Sequence, residues 1–506
     1  MTVDSGGDDV EFARSSVVVF LFTVFGMGAK YGFVSLATKL FPQSVFGKYS
    51  LALSLTTFFA ITSTLGLQVA QDRFIPVYRE NDNLAKVRTF IVRSFTIAFI
   101  LLSTISLVLY FFSGQIADVF GEVGFRQPLR IFSVAVVALG MLDLMVYTFR
   151  GFEKPVYQAA FRRFGTKILP IAIVLIFLAV GQGEQALYFS FPIATIILLL
   201  ALIFIFYITI FRKLPSEADQ INLRRILNYS WPFSISKTSA VFLAYADVFF
   251  IGYYLQAESV AIYRVAILLS SLILLPLRSM NPLFKPLCSR LYNTGELTEL
   301  RRFYDAVARW GTTLSFGFVI VYLSIGKALI GLLFTPSYSS GFTSLVVLAL
   351  ASGFVAFLGP SGTTLQAADE SRFYLSNSLL QLSLNVVLNV LLIPVLGILG
   401  AAVATGSTRI VGEAHRFYKV RQRTGVAALR PERLKLLGVI ALSSLIGIVA
   451  SVLFAANSLV RVLGISILIG AIYLTLLTKF VFGNEDIWIA EQFLPASLVE
   501  SVRQYL

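Results

Sequence analysis

The chain has 506 residues, 57% hydrophobic and only 13% charged, with a net charge of +14 and a mean hydropathy of +0.82. A soluble domain carries about 25% charged residues, so this composition excludes an ordinary soluble protein, and the positive charge calls for a membrane explanation before a nucleic-acid one. One cysteine, Cys288, and one histidine, His415, exclude disulfides, Cys/His metal sites and Cys–His nucleophilic pairs.

The first stretch, 1–14, is acidic through Asp4, Asp8, Asp9 and Glu11, lacks the basic start of a signal peptide, and reads as a cytoplasmic tail. A spanning helix needs about 20 mostly apolar residues. Fourteen segments meet that need: 15–39, 46–70, 89–113, 129–149, 157–180, 186–211, 228–254, 258–280, 308–334, 342–366, 373–394, 397–415, 436–456 and 461–482. The tail 483–506 sets Trp488, Phe493, Leu498 and Val502 among charges, as a helix lying on the inner leaflet would.

Most of the Lys and Arg residues fall in every second gap between these segments. Arg73, Arg79, Lys86 and Arg88 are followed by Arg150, Lys154, Arg162 and Arg163, then by Arg212, Lys213, Arg224 and Arg225. Arg278, Lys285, Arg290, Arg301 and Arg302 come next, and the run from Arg416 to Lys435 closes the series. The gaps between, such as 181–185, 335–341 and 397–400, carry almost no positive charge. Cytoplasmic loops carry this excess because Lys and Arg translocate poorly, so the pattern places both termini in the cytoplasm.

A repeat is visible at an offset near 214. Ser44-Val45 with Tyr49 and Ala52 recurs as Ser259-Val260 with Tyr263 and Ala266, and Leu84, Arg88 and Phe90 recur as Leu297, Arg301 and Phe303. Parallel repeats of this kind build two lobes around a cavity. The expected division is a tail (1–14), an N-lobe (15–212), a cytoplasmic linker (213–227), a C-lobe (228–420), two further helices (421–482) and a tail (483–506).

Four cations remain inside predicted spans, Lys30, Lys237, Arg264 and Lys327, with two acids, Asp143 and Asp247. A charge at the bilayer centre costs roughly 2.5–3.5 kcal/mol, so such residues face a cavity or a partner. At about 1.5 Å per residue, Lys30 lies about 22 Å from the inner end of its helix and Arg264 about 10 Å below the outer end. Lys30, Lys237 and Arg264 therefore outline a cationic cavity suited to an anion. Asp247 serves either ion coupling or an ion pair with Arg264; Lys327 reads equally as a snorkelling side chain, and Asp143 as a helix–helix hydrogen-bonding group. Gly28 with Gly32, and Asn385 with Asn389, read as helix-packing devices. Gly359-Pro360 breaks its segment, and Trp231-Pro232 marks the start of the seventh.

Gly47-Lys-Tyr49-Ser-Leu-Ala52, followed by Gly66-Leu67, Ala70 and Arg73-Phe74-Ile75-Pro76, resembles the opening of polysaccharide-export flippases. Asp247-Val-Phe-Phe-Ile251-Gly252 with Tyr263-Arg264 is similar to their seventh and eighth helices. Asn385 through Ile393-Pro394 and Gly400 through Thr405 resemble their eleventh and twelfth. The resemblance implies an all-α polytopic membrane protein, with two six-helix lobes and two C-terminal helices. It implies movement of a glycan on a polyprenyl phosphate or pyrophosphate between leaflets, with Lys30 and Arg264 at basic cavity positions of the first and eighth helices. Glycan-assembly enzymes are the implied partners, besides the lipid-linked substrate and the bilayer. The lipid II branch uses several arginines there, whereas this chain mixes Lys and Arg. No cofactor is expected and no phosphate-binding loop for ATP is present, so an ion gradient or the membrane potential would drive transport. The rival readings are a drug or organic-cation exporter of the same superfamily, a membrane glycan polymerase or ligase, and a non-transporting scaffold. Short external gaps and the absence of paired carboxylates in loops weigh against the enzyme.

Overall fold

The computed structural model describes residues 5–217, 219–368, 370–427, 431–453 and 458–481, which are helical and contain no strand. They divide into two compact units, Met1–Ala261 and Ile262–Leu506. The tail expected to lie on the membrane, 483–506, is outside the described residues.

In the first unit, α1 (Ser5–Leu40) begins inside the stretch read as a tail and is followed by α2 (Gln43–Thr62), α3 (Leu67–Glu80), α4 (Leu84–Phe111) and the short α5 (Ser113–Val119). Then come α6 (Arg126–Gly151), a π-helical turn (Gln158–Gly165), α7 (Thr166–Ala179), α8 (Gln185–Thr209) and α9 (Leu223–Tyr254). Helix α10 (Ala257–Ser270) starts in the first unit and leads into the second, which holds α11 (Leu275–Asn293), α12 (Leu297–Leu333), α13 (Phe342–Leu358) and α14 (Ser361–Ala367). It ends with α15 (Ser371–Leu396), α16 (Ile398–Thr424), α17 (Pro431–Leu453) and α18 (Leu459–Phe480).

Eleven of the described helices are long and apolar enough to cross a membrane, and twelve if α10 and α11, bent by 50° where they meet, count as one span. The other two of the fourteen expected segments are helical but fall short for visible reasons. The π-turn interrupts the fifth and leaves α7 only 14 residues long. From Arg409 onward α16 also carries Glu413, Arg416, Lys419, Arg421 and Arg423.

The repeat reappears as a pattern of elements. Leu84 and Leu297 are each the first residue of a long helix, α4 and α12. Tyr49 and Tyr263 are both fully buried. Helix α2 gives way to α3 across 63–66, where Gly66 has φ +74°, and α10 gives way to α11 across 271–274. The segment following α2 is amphipathic and lies outside the crossing stretch.

The first unit is built around α6, which packs on α2, α3, α4 and α8. Its Leu129, Phe132, Val136, Leu139, Leu142, Val146 and Phe149 recur every three or four residues and are all buried. The linker after α8 is strapped to the start of α4: Arg88 Nη1 donates to the Pro215 carbonyl at 2.7 Å, and Asn83 Nδ2 to Asp219 Oδ2 at 3.1 Å. In the second unit α17 and α18 dock on α12. The buried Arg433 donates to Asp305 at 3.1 Å, and Tyr473 Oη donates to the Thr313 carbonyl at 3.0 Å.

Two sequence expectations need correction. Helix α9 begins at Leu223, so Trp231-Pro232 lies inside it; Asn222 caps the helix earlier by accepting from the Arg225 amide at 2.9 Å. Gly28 and Gly32 do not pack a helix, since a Cβ at either would meet nothing within 4 Å. Close approach occurs instead at Gly26, where a Cβ would stand 2.3 Å from the Arg163 carbonyl oxygen, and at Gly47, where it would stand 1.9 Å from that of Ala257. Gly359, with φ +90°, does separate α13 from α14, and Asn389 Nδ2 donates to Asn385 Oδ1 at 2.9 Å along α15.

Gly47→Ala should therefore force α2 away from the start of α10 at a cost of about 1–3 kcal/mol. Gly28→Ala should leave the melting temperature of purified protein unchanged. Equal melting of both variants would contradict the packing described.

Candidate functional site

Asp143, Tyr147 and Arg150 stand four and three residues apart on α6 and so share one face of the helix. Each meets a partner from another element of the first unit. Arg150 Nη2 lies 3.0 Å from Asp72 Oδ2 of α3. Asp143 pairs with Arg162 of the π-turn. Two cations approach the Tyr147 ring, with Arg150 Cζ at 4.8 Å and Lys237 Nζ of α9 at 5.0 Å from its centroid. Lys237 lies within electrostatic reach of all four charged groups, Asp72, Asp143, Arg150 and Arg162.

Local backbone explains how these groups meet. A Cβ on Gly151 would sit 2.9 Å from the Gln71 carbonyl oxygen, so glycine lets α3 approach the end of α6. Thr148 Oγ1 donates to Gln71 Oε1 across that contact. The π-turn lets consecutive arginines serve different helices. Arg162 reaches back to α6, while Arg163 Nη1 donates to Thr23 Oγ1 of α1 at 2.8 Å.

The two ion pairs differ. Asp143 is 7% exposed at its side chain and receives hydrogen bonds from Arg162 on both oxygens. Asp72 and Arg150 are more open, at 27% and 37%. Asp72 Oδ1 is nonetheless buried and accepts no hydrogen bond among the described residues. Burial pushes the Asp72 carboxyl up to about 6, against the opposing pull of Arg150 and Lys237. Three cations thus face two carboxylates around one aromatic ring, and the more open pair can exchange its carboxylate for another anion. Arg150 offers the planar fork that binds phosphate oxygens in pairs.

Of the residues expected from sequence, Lys237 joins this cluster. Lys30 lies on an exposed face of α1, which packs on the π-turn and α7. Asp247 is buried on α9 at 2% exposure, and Arg264 is half-buried on α10 in the second unit. Asp143, expected as a helix–helix hydrogen-bonding group, is an ion-pair partner of Arg162. Arg150 and Arg162 fall among the basic cytoplasmic gaps of the sequence pattern, and no expectation attaches to Asp72 there. The available signals were the 143/147/150 spacing and the position of Arg162 inside the segment 157–180.

In the second unit, Asn377, Gln381, Asn385 and Asn389 form a buried amide row along α15. Beside it His415 Nδ1 lies 3.0 Å from Asn377 Oδ1, and Arg409 Nη1 donates to Ser352 Oγ at 3.2 Å. No group of three or more His, Cys, Asp or Glu side chains with metal-binding geometry occurs among the described residues.

Removing one partner of a buried ion pair strands the other charge, at a cost of about 3–5 kcal/mol. Asp143→Leu should sharply lower the folded yield, and adding Arg162→Met should restore most of it. A double variant no more stable than the single one would show that the pair does not anchor the π-turn.

Over 249 residues the chain is 26% identical to "Probable flippase AglR" of Haloferax volcanii, a match covering 47% of this chain and 49% of that protein. The chain thus spans about half the length of that relative. An uncharacterized membrane protein of Methanocaldococcus jannaschii is 23% identical over 379 residues, covering 72% of this chain and 75% of that one. Among solved structures, lipid II flippase MurJ in an inward closed conformation superposes with a TM-score of 0.71 at 16% identity, over 92% of this chain and 99% of that chain. An inward-facing multidrug resistance MATE family transporter of the MOP superfamily gives 0.61 at 15% identity, over 78% and 98%. At these identities the likeness establishes a shared fold, that of a multi-pass membrane protein. The sequence profile of one family matches residues 12–290, more than half the chain, and on that match the chain belongs to the polysaccharide biosynthesis protein family.

Proposed function

We propose that this protein is a flippase. It carries a glycan linked to a polyprenyl phosphate or pyrophosphate from the cytoplasmic to the outer leaflet by alternating access. The carrying observation is the approach of Arg150 and Lys237 to Tyr147, with Arg162 on Asp143 beside them and Asp72 as the other carboxylate among the described residues of the cluster. Such a site is set up for an anion, and phosphate is the anionic part of that substrate class. Lys30 and Arg264, two other cations expected inside the spans, are candidates for further anion contacts, and Asp247 is a candidate for ion coupling. Family membership and the names of AglR and MurJ support the same reading. The alternation of basic loops supports cytoplasmic termini.

The MATE likeness keeps one rival, an organic-cation exporter. An excess of cations at the site disfavours a cationic cargo, because like charges in a low-dielectric interior repel strongly.

Cells lacking the protein should accumulate complete lipid-linked glycan on the inner leaflet, with little accessible outside. Losing a hydrogen bond to a charged group costs roughly 1.5–3 kcal/mol, about tenfold to a hundredfold in affinity. Arg150→Ala and Lys237→Ala should therefore each restore external exposure poorly when folded protein is present at normal levels. Lys30→Ala and Arg264→Ala should also lower it. Normal outer-leaflet exposure without the protein, or full rescue by all four variants, would contradict the reading.

A further inference from the structure

Asp72 is the one group at the site whose position the phosphate reading leaves unexplained. If the cluster only had to hold an anion, a carboxylate 3.0 Å from its most accessible arginine would weaken it. If the carboxylate were purely structural, it should resemble Asp143, which is nearly enclosed and engaged by Arg162 through both oxygens. Asp72 does neither. One oxygen meets Arg150; the other is buried with no hydrogen bond among the described residues, and both side chains retain a path to the outside. Its neighbour Gln71 is fully buried, with its amide nitrogen equally unpartnered.

The surroundings can be enumerated element by element. From α6, Asp72 faces Arg150, with Tyr147 beside it; from α9 it faces Lys237. On α4, the third helix packed on α3, Lys86 and Arg88 are engaged with the linker, Arg93 is exposed, and the contact is made by Phe90 against Phe74. Arg73 on α3 itself turns to stack on Tyr229 at 4.3 Å. Asp72 therefore answers to two cations, Arg150 and Lys237, which are also those best placed for a phosphate.

Resting on the phosphate-binding reading above, we propose that Asp72 is the built-in counter-anion of the site: it neutralises Arg150 while the site is empty, and an arriving phosphate displaces it and leaves it protonated. No covalent bond changes. The phosphate oxygens take over Arg150 and Lys237, the carboxylate loses its cation beside a new negative charge, and one proton passes from solvent to Asp72. The exchange keeps Arg150 paired throughout, so that this half-buried cation is never left uncompensated. Burial already holds this carboxyl near 6, so the remaining step to the neutral form at pH 7 is small. Substrate binding becomes linked to proton uptake, and the linkage is reciprocal: lower pH tightens phosphate binding through this residue.

The test uses the full-length protein in lipid nanodiscs and geranyl pyrophosphate as the probe. Calorimetry at pH 7 in two buffers of different ionisation enthalpy counts the protons taken up on binding. The wild type should take up close to one proton more than Asp72→Asn, and Asp72→Asn should bind several-fold tighter at pH 7, with the difference vanishing below about pH 5. Asp72→Ala, which should behave like Asp72→Asn, guards against a folding defect peculiar to one variant. Identical proton counts and affinities in wild type and both variants, with Arg150→Ala still weakening binding, would overturn the counter-anion role alone. Binding that is absent in the wild type or unaffected by Arg150→Ala would overturn the phosphate reading beneath it.

Discussion

A charged side chain buried among packed helices is poorly hydrated, so it needs a partner or a cavity. The first unit meets this demand largely on one helix. Asp143, Tyr147 and Arg150 on a single face of α6 receive Arg162, Lys237 and Asp72 from three other elements, so that five charges gather around one ring. The position of α3 against α6, the π-turn before α7 and the placement of α9 can be read as consequences. Gly151 lets α3 close in, the π-turn aims Arg162, and the long α9 carries Lys237 to Tyr147. Apolar packing around α6 gives this helix its fixed place, since its other faces meet α2, α4 and α8 through an unbroken run of buried Leu, Val and Phe.

The two ion pairs divide the labour. Asp143 with Arg162 is enclosed, and breaking it would strand a charge, which suits a structural anchor. Asp72 with Arg150 is half-open and incompletely satisfied, which suits exchange with a ligand. A site of this kind reconciles two requirements that otherwise conflict: enough positive charge to draw a phosphate from the headgroup region, and no unpaired cation when the substrate has left.

Most of the helices were legible because membrane helices announce themselves by length and apolarity, and Leu84 and Leu297 each begin a long helix. Boundaries suffered where a rule of thumb was taken too literally. Trp231-Pro232 looked like a helix start, yet Asn222 caps α9 and the proline sits within it. Gly28 and Gly32 looked like a packing motif, yet the face that meets the π-turn is that of Gly26. The site was half legible. Lys237 stood out as a cation in mid-segment, but Arg150 and Arg162 were hidden by their own neighbourhood, because positive-inside reasoning assigns every arginine near a cytoplasmic loop to that loop. A π-turn has no strong sequence mark, and it is what turns Arg162 inward.

The most direct test of the account is a structure of the full-length protein in nanodiscs with a polyprenyl pyrophosphate-linked sugar bound. The account predicts phosphate oxygens within about 2.7–3.2 Å of the Arg150 guanidinium and the Lys237 ammonium, with the glycan extending away from Tyr147. A phosphate seated elsewhere, with Arg150 still paired to Asp72 at 3.0 Å as it is here, would contradict it.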